Sequence, residues 1–182
     1  MPWSASRFEV RGRTVHVAGL CSSWLAHGDD EAKLVVGRWQ VMMVLPSDVT
    51  ADLVVGALHH PREFLAEFDR NEVFEELYRR CDLVLRGHLH ANSAWNIFQP
   101  HLQVLELAAG ASYADSASEN SYHFVEWDFE QRKVRVHIRT WDGHDWNPAS
   151  GLFRGLATNG IVVFDMPSND GQQKRGSTAR KG

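Results

Sequence analysis

Two stretches of the chain stay apolar for the length of a strand and then stop abruptly on histidine. DLVVGALHHP runs from Asp52 to Pro61 and CDLVLRGHLH from Cys81 to His90. Both are rich in valine and leucine without the alternation of a half-wet strand, so each predicts a buried strand. Between them NEVFEELYRR, Asn71 to Arg80, sets Val73, Phe74, Leu77 and Tyr78 at helical spacing. A strand, a helix and a strand make one βαβ crossover, whose strands run parallel and end at the same sheet edge. Ligands of open α/β sheets bind at that edge. His59, His60, His88 and His90 are therefore the first residues to ask about function.

The flanking patterns extend the same architecture. FEVRGRTVHVAGL predicts two strands about an Arg11-Gly12-Arg13 turn. Residues 31 to 45 carry Leu34, Val35, Trp39, Met42, Met43 and Leu45, which predicts a largely apolar helix buried on a sheet, with Asp29 and Asp30 as its N-terminal cap. After His90 the chain turns to strand patterns: NSAWNIF, LQVLELAAG, and then YHFVEWDF and VRVHIRTW joined by the polar EQRK turn. Val134, Val136 and Ile138 alternate with Arg135, His137 and Arg139, so that strand has one wet face and His137 belongs to it. The fold expected is α/β: a mixed β-sheet with a parallel βαβ portion and C-terminal antiparallel strands, and the two helices on one face.

Composition narrows the function classes. At 182 residues and 43% hydrophobic content, the chain is long enough for one globular domain, expected over residues 1–166. No apolar run approaches the ~20 residues of a membrane helix. The start MPWSASRFEV shows no basic and apolar leader, and Cys21 and Cys81 suggest neither a disulfide framework nor a cysteine metal site. A cytoplasmic location and no membrane partner are the expectations. Residues 167–182 carry Lys174, Arg175, Arg180 and Lys181 against Asp170 and read as a disordered basic tail. The formal charge of -4 then leaves the body acidic, which disfavours nucleic acid as a partner.

Histidine pairs on strands one crossover apart are within reach of metals, and neutral imidazole suits Mn, Fe, Zn or Ni without choosing among them. Gly87 is expected to let the chain bend as it leaves the strand, so that His88 and His90 aim at different points. Gly28-Asp29-Asp30 and Asp142-x-His144 also place acidic residues in short motifs, and both read first as turn or cap chemistry, with a metal-ligand set the lesser alternative at each.

A hydrophobic strand closing on His59-His60-Pro61, followed by one closing on Gly87-His88-Leu89-His90, resembles the second half of the calcineurin-like metallophosphoesterases. The resemblance extends loosely from Val15 to Trp24 and to the late strand pair, and covers most of residues 8 to 142. It implies an α/β/β/α sandwich of two facing sheets with helices outside. It also implies phosphoester hydrolysis at two divalent transition metal ions. By the same resemblance His59 and His88 would bind one metal and His90 the other, and His88 would be catalytic. His60, one residue nearer the proline than the family's ligand, would be a supporting or packing residue.

The chain departs from that pattern. The Asp-x-His, Gly-Asp-x-x-Asp and Gly-Asn-His motifs that supply the family's other ligands do not precede Val15. Three histidines without a bridging carboxylate do not hold two divalent ions close together, because the cation repulsion goes uncompensated. Three readings follow: the C-terminal half of a phosphoesterase whose missing N-terminal half carries the other ligands, a degenerate binding or regulatory module of the same fold, or an autonomous single-metal protein. Against the two-sheet sandwich of the resembled family, one sheet here is expected to lack part of its partner, which predicts an exposed apolar face or edge and hence a homodimer or poor solubility. The loops after the histidines carry no motif that identifies the phosphoester substrate.

Overall fold

The computed structural model describes residues 3–89, 93–99, 102–112, 120–149 and 157–166. His90 and the predicted tail at 167–182 lie outside them. The chain divides into two compact units, each taken by itself below. Neither of the described helices is long and apolar enough to cross a membrane.

The first unit opens with β1 (Ser4–Val10) and β2 (Arg13–Gly19), an antiparallel hairpin in which Val10 opposes Arg13. Its turn is the predicted one: Arg11 and Gly12 both have positive φ, 52° and 77°, which suits the twist of a two-residue hairpin. Next come α1 (Arg38–Val44), β3 (Leu53–Ala57), α2 (Glu67–Arg80) and β4 (Leu83–Arg86). β2, β3 and β4 are parallel neighbours, with Val17 beside Val55 and Val55 beside Leu83. The βαβ crossover is as predicted, and its helix starts four residues earlier than the pattern suggested. β5 (Ser93–Gln99) and β6 (Leu102–Ala108) complete a six-stranded sheet of order β1-β2-β3-β4-β6-β5.

The core lies where α1 and α2 meet this sheet. Val54, Leu58 and Val84 pack with Val41, Val44, Val73, Phe74 and Leu77. Phe74, Leu77 and Val73 are fully buried, each contributing about 1.5–3 kcal/mol by leaving water. α2 can come this close because β3 carries Gly56. A Cβ there would meet Cys81 Sγ at 2.9 Å and Leu77 Cδ2 at 3.3 Å.

The first helix differs from expectation. Residues 31–37 are turn and extended chain, tied to Leu65 by a parallel bridge at Leu34, and the helix spans Arg38–Val44 alone. Gly37, at φ 84°, breaks the helical path. Asp69, buried in the first turn of α2, accepts the N–H groups of Val36 (2.7 Å) and Gly37 (3.0 Å). The donors at the entry to α1 are thus satisfied from α2, and Asp29 and Asp30 are no cap: Asp30 accepts from His27 and Gly28 within its own loop. The buried stripe is Gln40, Val41 and Val44. Trp39, Met42 and Met43, assigned to the core from the pattern, are about half exposed, and Trp39 meets Trp3 edge to face at 5.3 Å.

The second unit carries β7 (Ser121–Asp128), β8 (Lys133–Trp141), β9 (Trp146–Pro148), β10 (Ala157–Thr158) and β11 (Ile161–Asp165). Among the described residues its strand pairings are all antiparallel, in the order β10-β11-β8-β7 with β9 on β8. Of the strands after His90, β5 and β6 thus extend the parallel sheet, while β7 to β11 form a sheet of their own. Val134, Val136 and Ile138 are buried while the residues between them are partly exposed. His137 lies on that outer face as expected, stacked on Phe124 at 4.8 Å. In all the chain is mixed α/β, with parallel and antiparallel strands and two helices.

Candidate metal centre

β3 and β4 end side by side, and the chain leaving each is fixed by the other. The N–H of Leu58 donates to the carbonyl of Leu85 (3.0 Å), and the N–H of Gly87 to the carbonyl of His59 (3.0 Å). Two strands one spacing apart thus carry their histidines to one point of the edge. β3 ends at Ala57, and Pro61, which has no N–H to continue a ladder, opens a single 3-10 turn at Arg62–Phe64.

His60 turns inward. It is 4% exposed, lies against Phe64 (ring centroids 5.9 Å) and meets His59 edge to face at 4.7 Å. Its Nδ1 is 2.9 Å from Ser22 Oγ, and its own N–H donates to the same oxygen at 3.1 Å. A serine oxygen accepts two hydrogen bonds. A neutral imidazole that donates from Nδ1 carries an unprotonated Nε2, the form that ligates a metal.

Ser22 is held in turn by α1. The buried Gln40 accepts from the N–H of Cys21 (2.5 Å) and donates to its carbonyl (3.3 Å), while Leu20 donates to Ala57 of β3. A chain of contacts therefore runs from α1 through Gln40 and Cys21 to Ser22 and His60. Neither Ser22 nor Gln40 was singled out from the sequence. The signal available was the position of CSSW directly after β2, whose parallel end shares the histidine edge.

His88 is bonded to Gly87, so its place follows from the end of β4. Its φ is 74°, and Gly87 is not in the left-handed region. The expected bend is present but falls on the histidine itself. Such a φ is uncommon outside glycine, though less so for histidine, and strain of this kind gathers at functional positions. At Gly87 itself a Cβ would lie 3.6 Å from His59 Nδ1, an ordinary contact, so the site does not require a glycine there.

His59, His60 and His88 offer ligand nitrogens that all lie within 4.8 Å of one another. In a tetrahedral site with metal–nitrogen bonds of about 2.0–2.1 Å, ligand atoms are about 3.4 Å apart, so modest ring movements close the set. Three imidazoles fit one transition metal ion with a position open to a further ligand. The group contains no carboxylate among the described residues, so it does not fit a pair of ions. His90 lies outside the described residues. It is His60, the buried member of the first pair, that joins His59 and His88 here.

Under β4 lies a second polar network. Arg86, the residue before Gly87, pairs with Glu106 at 2.6 Å, and Tyr78 donates to the same carboxylate at 2.5 Å. Arg86 and Glu106 are each about nine-tenths buried. Burial and the Glu106 carboxylate push the Tyr78 hydroxyl well above its ordinary pKa, so it stays a donor.

Asp142-x-His144, the other acid–imidazole motif, is turn chemistry. The Asp142 carboxylate accepts from the N–H groups of His144 (2.8 Å) and Asp145 (2.9 Å) and from Asn147 (2.7 Å). The Asp145 and His144 amides hold its pKa below the usual carboxylate value.

The chain matches no protein-family model and no curated protein. Solved structures resemble it over most of its length. A hypothetical protein from Thermus thermophilus is 12% identical, with 90% of this chain and 62% of that one aligned at a TM-score of 0.44. Vps29 from Chaetomium thermophilum is 6% identical, with 91% and 60% aligned at 0.39. A conserved uncharacterized protein from Streptococcus pneumoniae, described as a predicted phosphoesterase, is 19% identical, with 82% and 96% aligned at 0.33. The chain spans about three fifths of the first two. At these scores no role passes from them to this chain.

Proposed function

We infer that the chain is a metal-binding module of the calcineurin-like metallophosphoesterase type, built for phosphoester hydrolysis but weak or inactive by itself. The single observation that carries this reading is the convergence of His59, His60 and His88 at the shared end of two parallel strands. Two of these residues, His59 and His88, hold the positions that the resemblance gives to ligands. His60 adds a third imidazole, oriented by Ser22.

A divalent ion held there would supply positive charge for a phosphoryl oxygen and acidify water beside it. The protein's own contribution is positioning. Ser22 and Phe64 fix the ring of His60, the Gly87–His59 hydrogen bond fixes the separation of the two strand ends, and three neutral imidazoles leave the ion's charge available to an anion. By the resemblance, His88 would act on the phosphoryl group and His90 would hold a second ion. The all-histidine group favours a further reading, a binding or regulatory module of the same fold, because without a bridging carboxylate the second ion is not compensated.

Hydrolysis separates the two. The chain is expected to turn over a generic aryl phosphodiester slowly or not at all with Mn or Zn. Supplying a separately produced segment that bears the Asp-x-His, Gly-Asp-x-x-Asp and Gly-Asn-His motifs should raise the rate by orders of magnitude, since members of a catalytic unit act together. His88→Ala should abolish that gain. A complemented protein that binds metal and stays inert would overturn the hydrolase reading in favour of the binding module.

A further inference from the structure

β1 stands at the end of the six-stranded sheet, and all seven of its residues are exposed, Phe8 and Val10 among them at about half of their full area. An exposed edge strand is a template for another strand. The polar groups that face outward can be assigned. Thr14 of β2, which opposes Glu9, gives its N–H to the Asp52 carboxylate (2.8 Å) and its carbonyl to the N–H of Asp52 (2.8 Å). Thr14 therefore spends its backbone groups on the far side of β2, so Glu9 and, by the alternation of an antiparallel ladder, Arg7 and Ala5 present theirs to the open edge.

We propose that this edge pairs with the β1 edge of a second copy, antiparallel, with Phe8 of each chain on the two-fold axis. The side chains select the occupant and the register. Outward-facing residues are odd-numbered, so a two-fold pairing must set odd against odd. Centring on Arg7 would oppose Arg7 to itself, and like charges directly opposite are destabilising. Centring on Phe8 opposes Arg7 to the partner's Glu9 and Glu9 to the partner's Arg7. It also sets the two Phe8 rings against each other as a non-hydrogen-bonded pair, where side chains approach most closely. Both charged groups are more than half exposed and only 3.9 Å apart within one chain, so they can exchange partners. A seven-residue pairing buries less than the ~1,200–2,000 Å² of a stable interface, which makes the dimer weak and concentration-dependent.

The register is testable by charge reversal in the full chain, followed by sedimentation velocity over a concentration series. Wild type should self-associate. Arg7→Glu and Glu9→Arg should each raise the dissociation constant at least tenfold, because each places two like-charged pairs across the axis. An equimolar mixture of the two variants should associate again. In the mixed dimer the carboxylate introduced at position 7 of one chain faces the guanidinium introduced at position 9 of the other, and the remaining native Glu9 faces the remaining native Arg7. Wild type that stays monomeric up to about 1 mM, or single variants that dimerise as wild type does, would overturn the proposal, as would a mixture that does not recover. Should either variant fold poorly, amide exchange in wild type gives a second reading. Arg7 and Glu9 amides should gain protection at least tenfold with rising concentration while the Phe8 amide does not, and unchanged Arg7 and Glu9 protection would count against the dimer equally.

Discussion

The histidine edge and the Asp142 turn both place imidazole next to the end of a strand, and they differ in what the neighbouring chain does. At Asp142-x-His144 the motif is spelled within three residues, and the carboxylate is occupied by the amides of its own turn. At His59, His60 and His88 the residues come from two strands separated by a helix, and a third segment, Ser22, orients one of them. Convergence of separate segments, each held by its own backbone, makes a centre available for a ligand. A motif confined to one turn mostly satisfies itself.

The largest effect that tests this contrast is on metal affinity. His59→Ala or His88→Ala should each weaken Zn binding by about 100-fold or more, whereas His144→Ala leaves it unchanged. Competition with a chromophoric chelator measures both. An equal loss at His144 would place the centre at the Asp142 turn instead. Next in size is Ser22→Ala, which removes the group that orients His60 without touching a ligand. A loss of about 10–100-fold is expected from removing such a partner. A far smaller loss, with His60→Ala equally silent, would return His60 to a packing role and leave a two-histidine site.

How far these features could be read from the chain depended on their range. The βαβ unit, the Arg11–Gly12 turn and the alternating β8 were legible because period and turn chemistry are local. The helix predicted over residues 31 to 45 was not. Its start is set by Gly37 and by Asp69, a residue over thirty positions away, and its outer face keeps Trp39, Met42 and Met43 that any pattern would bury. Of the site, the histidines were visible as abrupt strand ends. The resemblance marked His60 as a supporting or packing residue, but what holds it, Ser22 and the Gln40 clamp over Cys21, has no sequence period and was not legible. The bend at His88 was expected one residue early, since glycine is the usual residue for such a turn and the chain gives it to histidine.

A smaller effect concerns the turn itself. The amides of Asp145 and His144 lower the Asp142 pKa, so its stabilising contribution is complete above the ordinary value of about 3.9 and is lost as pH falls through the lower folded value. Asp142→Asn should therefore lower the thermal midpoint slightly at pH 7, with the gap to wild type closing below pH ~4, and should leave metal binding intact. A gap that widens in acid would contradict the assignment. Smallest of all is Gly87→Ala. The added Cβ makes only an ordinary contact with His59, so metal affinity should stay within about threefold. A large loss would mean that the strand ends approach more closely than described.

The most direct measurement is the stoichiometry of Zn binding to the purified chain and to the His59→Ala/His60→Ala/His88→Ala variant, with folding of both checked by circular dichroism. One ion per chain in the wild type, and at least 100-fold weaker binding in the variant, is the result that three converging imidazoles require. A variant that binds zinc as tightly as wild type would contradict the account.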